Sequence, residues 1–399
     1  MINTGKLIIL LNLIFLLFFP KGGIKLSGIP ITWGYIIFFM SSLFLILKYK
    51  IFNVKISKKK GFVILSMLSF QVYILISLYF NGNSNLGMTV SLIVSLILIP
   101  WLSIVYVGKY IDEHMDIYYL FKIVKIGLIF ISIYGIFLFF YRIFTGKWIE
   151  VPFLTINFGD LGRLDEKFIT RGGIYKLIST YNNGNIYGIS VSILLPLYEF
   201  IEKSKIKKLI VKVSMVLTLS RTVWISLIVY ELLIRPLING IVLKKIIMQV
   251  IFVILIVFSL YKIAGTITSN PIGFLFDKNL GGRVGALDIL HNFELVSTKP
   301  VSGIFEIVYL GVLNAFGLIG LLLFLFMMLS PIISSICVRN VYKKSLLYGL
   351  ILYLIISLSD GAILLIPVMM FYWFIASLLI SKKTISPVFP RDIRYFKSV

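Results

Sequence analysis

Cysteine, histidine and acidic side chains are scarce in this chain: one Cys, two His and 16 Asp plus Glu among 399 residues. Cys337 on its own cannot close an intramolecular disulfide, and no Cys/His cluster has the spacing of a metal site. His114 and His291 are too far apart for a helical zinc pair, and neither a Walker loop nor a dinucleotide fingerprint occurs, which argues against ATP hydrolysis. No Asp-x-Asp appears either, so a pair of acidic metal ligands of that kind is not expected. Charge is low overall: Asp, Glu, Lys and Arg make up 14 % of residues, against about a quarter in soluble domains.

Apolar residues fill that space. They make up 59 % of the chain, mean hydropathy is +1.02, and runs long enough to cross a bilayer recur throughout. The expected fold is an all-α polytopic membrane protein, one integral membrane domain over 1–399 with about twelve transmembrane helices. The runs are 7–20, 28–47, 61–80, 87–107, 123–141, 185–201, 208–220, 222–238, 246–263, 304–329, 345–360 and 362–380. The short alternating segments of a transmembrane β-barrel are not apparent. The first run lacks a small-residue cleavage site after it, so it is expected to be retained as a span.

A net charge of +23 suggests nucleic acid, but the lysines cluster in short loops between apolar runs, as the positive-inside rule demands. Membrane lipids with anionic headgroups are their expected partners, and nucleic acid is not. Placing Lys48, Lys50, Lys55, Lys58, Lys59 and Lys60 inside puts both termini in the cytoplasm. Twenty-six Lys/Arg then lie on inner segments and 12 on outer ones. Six of those 12 sit in one long outer loop, 142–184, and four in 262–303, which is Lys262 with the second long loop, 263–303, expected to carry a short interfacial helix. Connections of this length are commonly functional. Arg221 interrupts an apolar run, and a turn at the outer surface avoids the cost of about 2.5–3.5 kcal/mol for an arginine at mid-membrane. The alternative is a side chain that snorkels to the headgroups. Glu231 and Arg235 are spaced for an ion pair along one helix face.

Three stretches carry a family resemblance. Lys176-Leu177-Ile178-Ser179-Thr180-Tyr181-Asn182-Asn183-Gly184-Asn185 is similar to an Arg-Leu-x-Gly-Thr-Phe-x-Asn-Pro-Asn signature. Leu217-Thr218-Leu219-Ser220-Arg221-Thr222-Val223-Trp224 is similar to a Thr-x-Ser-Arg-Gly-Ala-Trp turn. Gly282-Arg283, with Pro300 to Gly303 beyond it, resembles a Gly-Arg loop-helix start followed by Pro-x-x-Gly. Together they resemble the O-antigen polymerases and O-antigen ligases of bacterial surface polysaccharides, over roughly residues 170–330. Family ligases carry His-Asn at the site. His291-Asn292 mimics it, but counting back from Leu310, Gly317 and Gly320 puts Glu306 in that register.

The resemblance implies a C-type glycosyltransferase-like fold in a bacterial plasma (inner) membrane, with its active face extracytoplasmic. It implies a metal-independent glycosyltransferase without cofactor, which joins lipid-linked oligosaccharide repeats into O-antigen, capsule or exopolysaccharide. Undecaprenyl-diphosphate-linked oligosaccharide would be both donor and acceptor, with a chain-length regulator and a flippase as partners. Arg221, Arg283 and Lys176 would hold the diphosphate, since arginine's fork binds phosphate oxygens bidentately. Glu306 would be the general base, or else a helix-start acid that complements the dipole. His291, Asn183 and Asn185 are candidate sugar contacts, although Asn-rich turns need no function. Tyr181 and Trp224 are candidate packing residues or ordinary interfacial aromatics. Glu306 in place of histidine favours polymerase over ligase. The alternatives are a ligase, which transfers the glycan to another acceptor, and a flippase or exporter of the same lipid-linked sugars.

Overall fold

A computed structural model describes residues 4–26, 29–49, 56–83, 85–114, 117–164, 170–171, 174–240, 247–251, 284–301 and 303–382, with a few isolated positions up to 265. Helices dominate. They are α1 (Thr4–Leu13, continued by a π-helical turn over Ile14–Phe18), α2 (Trp33–Tyr49), α3 (Lys58–Asn81), α4 (Leu86–Asp112) and α5 (Ile117–Thr145). There follow α6 (Gly184–Ile201), α7 (Lys205–Leu217), α8 (Arg221–Val229, carried on to Asn239 by a π-helical turn), α9 (Val308–Ile333), α10 (Val341–Ile356) and α11 (Ile366–Ile380). Five of them, α3, α4, α5, α6 and α9, are long and apolar enough to cross a membrane. Helices lie over eleven of the twelve expected runs. In the ninth, 246–263, eleven of the eighteen residues are described, and each of those is helical.

Burial divides the helices into an inner and an outer set. Every residue of α11 from Pro367 to Ile380 is buried, as suits a helix that is apolar all round. α6 and α10 pack beside it, and close approach there needs a glycine: a Cβ on Gly349 would lie 2.5 Å from the Ile193 carbonyl oxygen. On α3 the periodicity is one-sided. Val63, Met67, Phe70 and Ile74 are buried, while Leu65, Leu68, Val72, Leu75, Ile76 and Tyr79 are exposed at helical spacing, the pattern of a lipid-facing helix.

Proline explains two irregularities. α4 contains π-helical stretches over Val94–Leu98 and Leu102–Val107, flanking Pro100, and the turn Tyr230–Ile234 precedes Pro236. A proline removes one N–H and crowds the preceding turn, and a wider turn accommodates both. Two further boundaries differ from the sequence expectation. α7 starts at Lys205 because Ser204 caps it, its hydroxyl accepting from Lys207 N at 3.4 Å. α10 starts at Val341, so Lys343 lies inside a helix; its ammonium donates to the carbonyls of Leu378 (2.6 Å), Leu379 (3.0 Å) and Ser381 (2.8 Å), satisfying the open end of α11.

α9 is broken. Gly317 has φ +73°, and a Cβ there would meet Leu295 O at 2.7 Å and Ser297 N at 2.8 Å. The loop at 294–297 fills the gap: Leu318 N donates to Glu294 O (3.0 Å) and Ile319 N to Leu295 O (3.1 Å). Both freed amides are thereby satisfied in an apolar setting, where unpaired ones would be costly. The short 3-10 helix Val284–Leu290 packs through Ala286 and Ile289 on Ile307, Leu310 and Leu313, so the end of the second long loop lies on the start of α9.

Candidate functional site

Three interhelical segments meet at one end of the bundle. The first leads into α6. Asn182 takes the left-handed conformation that asparagine tolerates (φ +53°), and its Nδ2 donates to Thr155 O at 2.9 Å. Asn183 is the N-cap of α6, its Oδ1 accepting from Asn185 N (2.8 Å) and Ile186 N (3.2 Å). The second segment is 303–307, before α9. The third, 357–365, joins α10 to α11 and carries Asp360, the one charged residue between Lys344 and Lys382.

Backbone bonds interlock the segments. Gly361 N donates to Glu306 O (3.1 Å) and Val308 N to Ser357 O (3.3 Å). The Asn185 side chain reaches across, its Nδ2 donating to Asp360 Oδ2 at 2.7 Å. Between them lies a cavity of about 190 Å³, lined by Asn183, Asn185, Glu306 and Asp360 with Ile186, Ile304, Phe305 and Ala362–Leu365. That is room for roughly six waters. Asp360 is 4 % exposed, while Glu306 stands in the open. The described lining therefore carries two carboxylates, two amides and an apolar wall, a surface suited to hydroxyl groups.

The turn between α7 and α8 borders this site. Leu219 has φ +51°, Ser220 is the N-cap residue, and half-buried Arg221 opens α8. Its neighbour Thr222 shares a hydrogen bond with Ser359 (2.9 Å), next to Asp360. Half-buried Lys176 precedes Leu177, whose N–H donates to Leu217 O at 3.0 Å. The segments of Lys176 and Arg221 thus run side by side, although neither residue lines the cavity.

Of the candidate residues read from sequence, Asn183, Asn185 and Glu306 share the cavity. Asn183 spends its amide oxygen on capping. Arg283 lies outside the described residues. His291 is exposed at the end of the 3-10 helix, its N–H donating to Asp288 O (3.1 Å), and it does not line the cavity. Tyr181 is fully buried, its hydroxyl donating to Leu17 O at 3.2 Å, and Trp224 donates to Val216 O at 2.9 Å, so both serve packing. The residue missed is Asp360. Its signal was a lone acid in a long apolar stretch, a kind of residue that is costly in membranes and usually kept for function.

A second polar cluster lies on α6, α7 and α8, away from the cavity. The Lys212 ammonium bridges Glu199 and Glu231, 2.6 Å from each, and Arg235 pairs with Glu231 at 2.6 Å. The ion pair expected of Glu231 and Arg235 is present as part of this larger network.

Fold and site together define a helical membrane protein with an acid- and amide-lined cavity at the junction of three interhelical segments. No family model, no curated protein and no solved structure matches the chain.

Proposed function

We propose that the protein is a membrane glycosyltransferase that polymerises lipid-linked oligosaccharide repeats. In this reading the chain crosses a bacterial plasma membrane twelve times with both termini in the cytoplasm, and the cavity opens on the outer face. The observation that carries it is the meeting of Asn183 and Asn185, at the start of α6, with Glu306, from the segment before α9, in one hydroxyl-compatible cavity.

The acceptor sugar enters this cavity. Its hydroxyl oxygen attacks the anomeric carbon of the donor, the carbon–phosphate-oxygen bond breaks, and its electron pair leaves with undecaprenyl diphosphate. Glu306 takes the hydroxyl proton as general base, while Asp360, held by Asn185, orients the ring. Arg221 supplies positive charge for the departing diphosphate, the kind of stabilisation that is commonly the largest catalytic contribution. Arg283 and Lys176 are assigned the same role on sequence grounds.

Arg221→Ala and Arg283→Ala should each abolish long-chain polymer in cells, while protein level and single-repeat capping persist. Normal polymer from both would refute the reading. A transport role draws support from the break in α9, because discontinuous helices form transporter sites. Here the opened amides are already bound by the Glu294 and Leu295 carbonyls, which favours an enzyme.

A further inference from the structure

The loop after α5 has features that the proposed reaction does not use. Between Glu150 and Asp160 lie nine residues without a charge, Val-Pro-Phe-Leu-Thr-Ile-Asn-Phe-Gly. Phe153 and Phe158 stack in parallel, ring centroids 4.9 Å apart and 9° from coplanar, yet they are 42 % and 56 % exposed. Val151 and Leu154 are exposed beside them. Phe153 also has φ +62°, a conformation that costs a bulky side chain energy and persists only where surrounding structure imposes it.

What imposes it is a set of bonds that turn the backbone polar groups inward. Leu154 N (3.2 Å) and Thr155 N (3.0 Å) both donate to Val151 O. Trp33 Nε1 donates to Phe153 O (2.6 Å), and Asn182 Nδ2 to Thr155 O (2.9 Å). Ile156 anchors the loop by packing with Leu138 of α5. The tip thus combines exposed apolar side chains with hydrogen-bonded carbonyls at Val151, Phe153 and Thr155. Irregular backbone does not enter lipid-exposed hydrocarbon, so only the apolar side chains of such a tip can reach it. α5 is long and apolar enough to cross a membrane, and its last turns expose Phe140, Ile143 and Phe144 just before the loop.

We propose that residues 151–158 form a lip that inserts Phe153 and Phe158 into the acyl region of the bilayer leaflet at the end of α5. The occupant of this surface is lipid. The inference is independent of the glycosyltransferase reading.

The test uses the full chain in nanodiscs of phosphatidylcholine and phosphatidylglycerol. In a Cys337→Ser background, Phe158→Cys or Leu154→Cys carries an environment-sensitive fluorophore. Phe144→Cys serves as a membrane reference and Lys147→Cys as an aqueous one. Labels at 158 and 154 should be blue-shifted and quenched by nitroxide-bearing lipids like the label at 144, and shielded from iodide, unlike the label at 147. Iodide quenching with no lipid quenching at both positions overturns the proposal. So does shielding that appears only when a soluble oligosaccharide such as maltohexaose is added, which would make the stacked rings a sugar platform. Two positions are used so that misfolding of one variant cannot mask the answer.

Discussion

Lys212 offers the sharpest energetic test, because a single ammonium there serves two buried carboxylates. Its side chain is 8 % exposed, that of Glu199 7 % and that of Glu231 1 %, with both oxygen contacts at 2.6 Å. Lys212→Met keeps the length and apolar stem but removes the charge. Glu199 is then left with Lys208 at 3.3 Å, and Glu231 with Arg235 at 2.6 Å. Breaking a buried pair by deleting one partner costs about 3–5 kcal/mol. The remaining cations place this case near the lower end, about 3 kcal/mol. Lys208 is 21 % exposed and its contact is longer, so Lys208→Met should cost no more than about 1 kcal/mol. At about 2 °C per kcal/mol or slightly less for a long chain, the melting midpoint in detergent falls by about 5 °C for Lys212→Met. For Lys208→Met it falls by less than about 2 °C. Adding Glu199→Gln to Lys212→Met removes one stranded charge and should recover about 1 kcal/mol or more. Equal midpoints for Lys212→Met and wild type, or a double variant less stable than the single, would refute the reasoning.

The cavity gives a second prediction. Glu306→Gln should lose polymerising activity while His291→Ala keeps it; full activity of Glu306→Gln removes it as base. Asp360→Asn turns the Asn185 contact into an amide–amide pair, and should weaken acceptor use more than donor use in a reconstituted transfer assay. Gly317→Ala places a methyl 2.7 Å from Leu295 O at φ +73° and ψ −177°, so it costs about 1–3 kcal/mol for that glycine-only backbone conformation alone. A loss of folded protein on size exclusion reports it. Glu202 sits just past the end of α6. Burial raises its carboxyl pKa, but the N–H groups of Ser204 and Lys203 and the Lys125 ammonium lower it more, leaving it below the ordinary range. A depressed folded value means that its stabilisation is present above the unfolded value of roughly 4.3 and is lost as pH falls through the folded one. Acid melting curves of Glu202→Gln should therefore lack part of that loss.

Most of the helices could be read from the sequence because apolar runs are a local property. Ser57, Asn85, Asn183, Ser204 and Asn340 each cap the helix that follows with a side-chain oxygen, and at Ser204 and Asn340 the cap sets a start earlier than the apolar run alone indicates. What could not be read depends on partners distant in sequence. Gly317 served as a spacing marker, but that it breaks α9 depends on a loop some twenty residues earlier. Glu231 and Arg235 were visible as a pair on one helix, while Lys212 and Glu199 join only when α6, α7 and α8 pack. Asp360 was visible as an isolated acid. Its partner Asn185 could be named only once 175 residues of intervening chain had folded to bring the two together.

The way the cavity is assembled bears on how its variants can be interpreted. Backbone bonds join two of its segments, Gly361 N to Glu306 O and Val308 N to Ser357 O, while the Asn185–Asp360 side-chain bond ties the start of α6 to them. The Glu306 carboxylate takes no part in those bonds, whereas the Asp360 carboxylate accepts one of them. Glu306→Gln leaves all of these bonds intact. Asp360→Asn leaves the two backbone bonds and offers Asn185 an amide oxygen of the same shape in place of the carboxylate, so an unchanged melting midpoint is the check that the segments keep their places. Asn183 is different, because its Oδ1 holds the first turn of α6 and Asn183→Ala costs roughly 1 kcal/mol through lost capping. A loss of activity in Glu306→Gln or Asp360→Asn with an unchanged melting midpoint would therefore speak to chemistry in the cavity. The same loss in Asn183→Ala, accompanied by a lower midpoint, would speak only to the helix it begins.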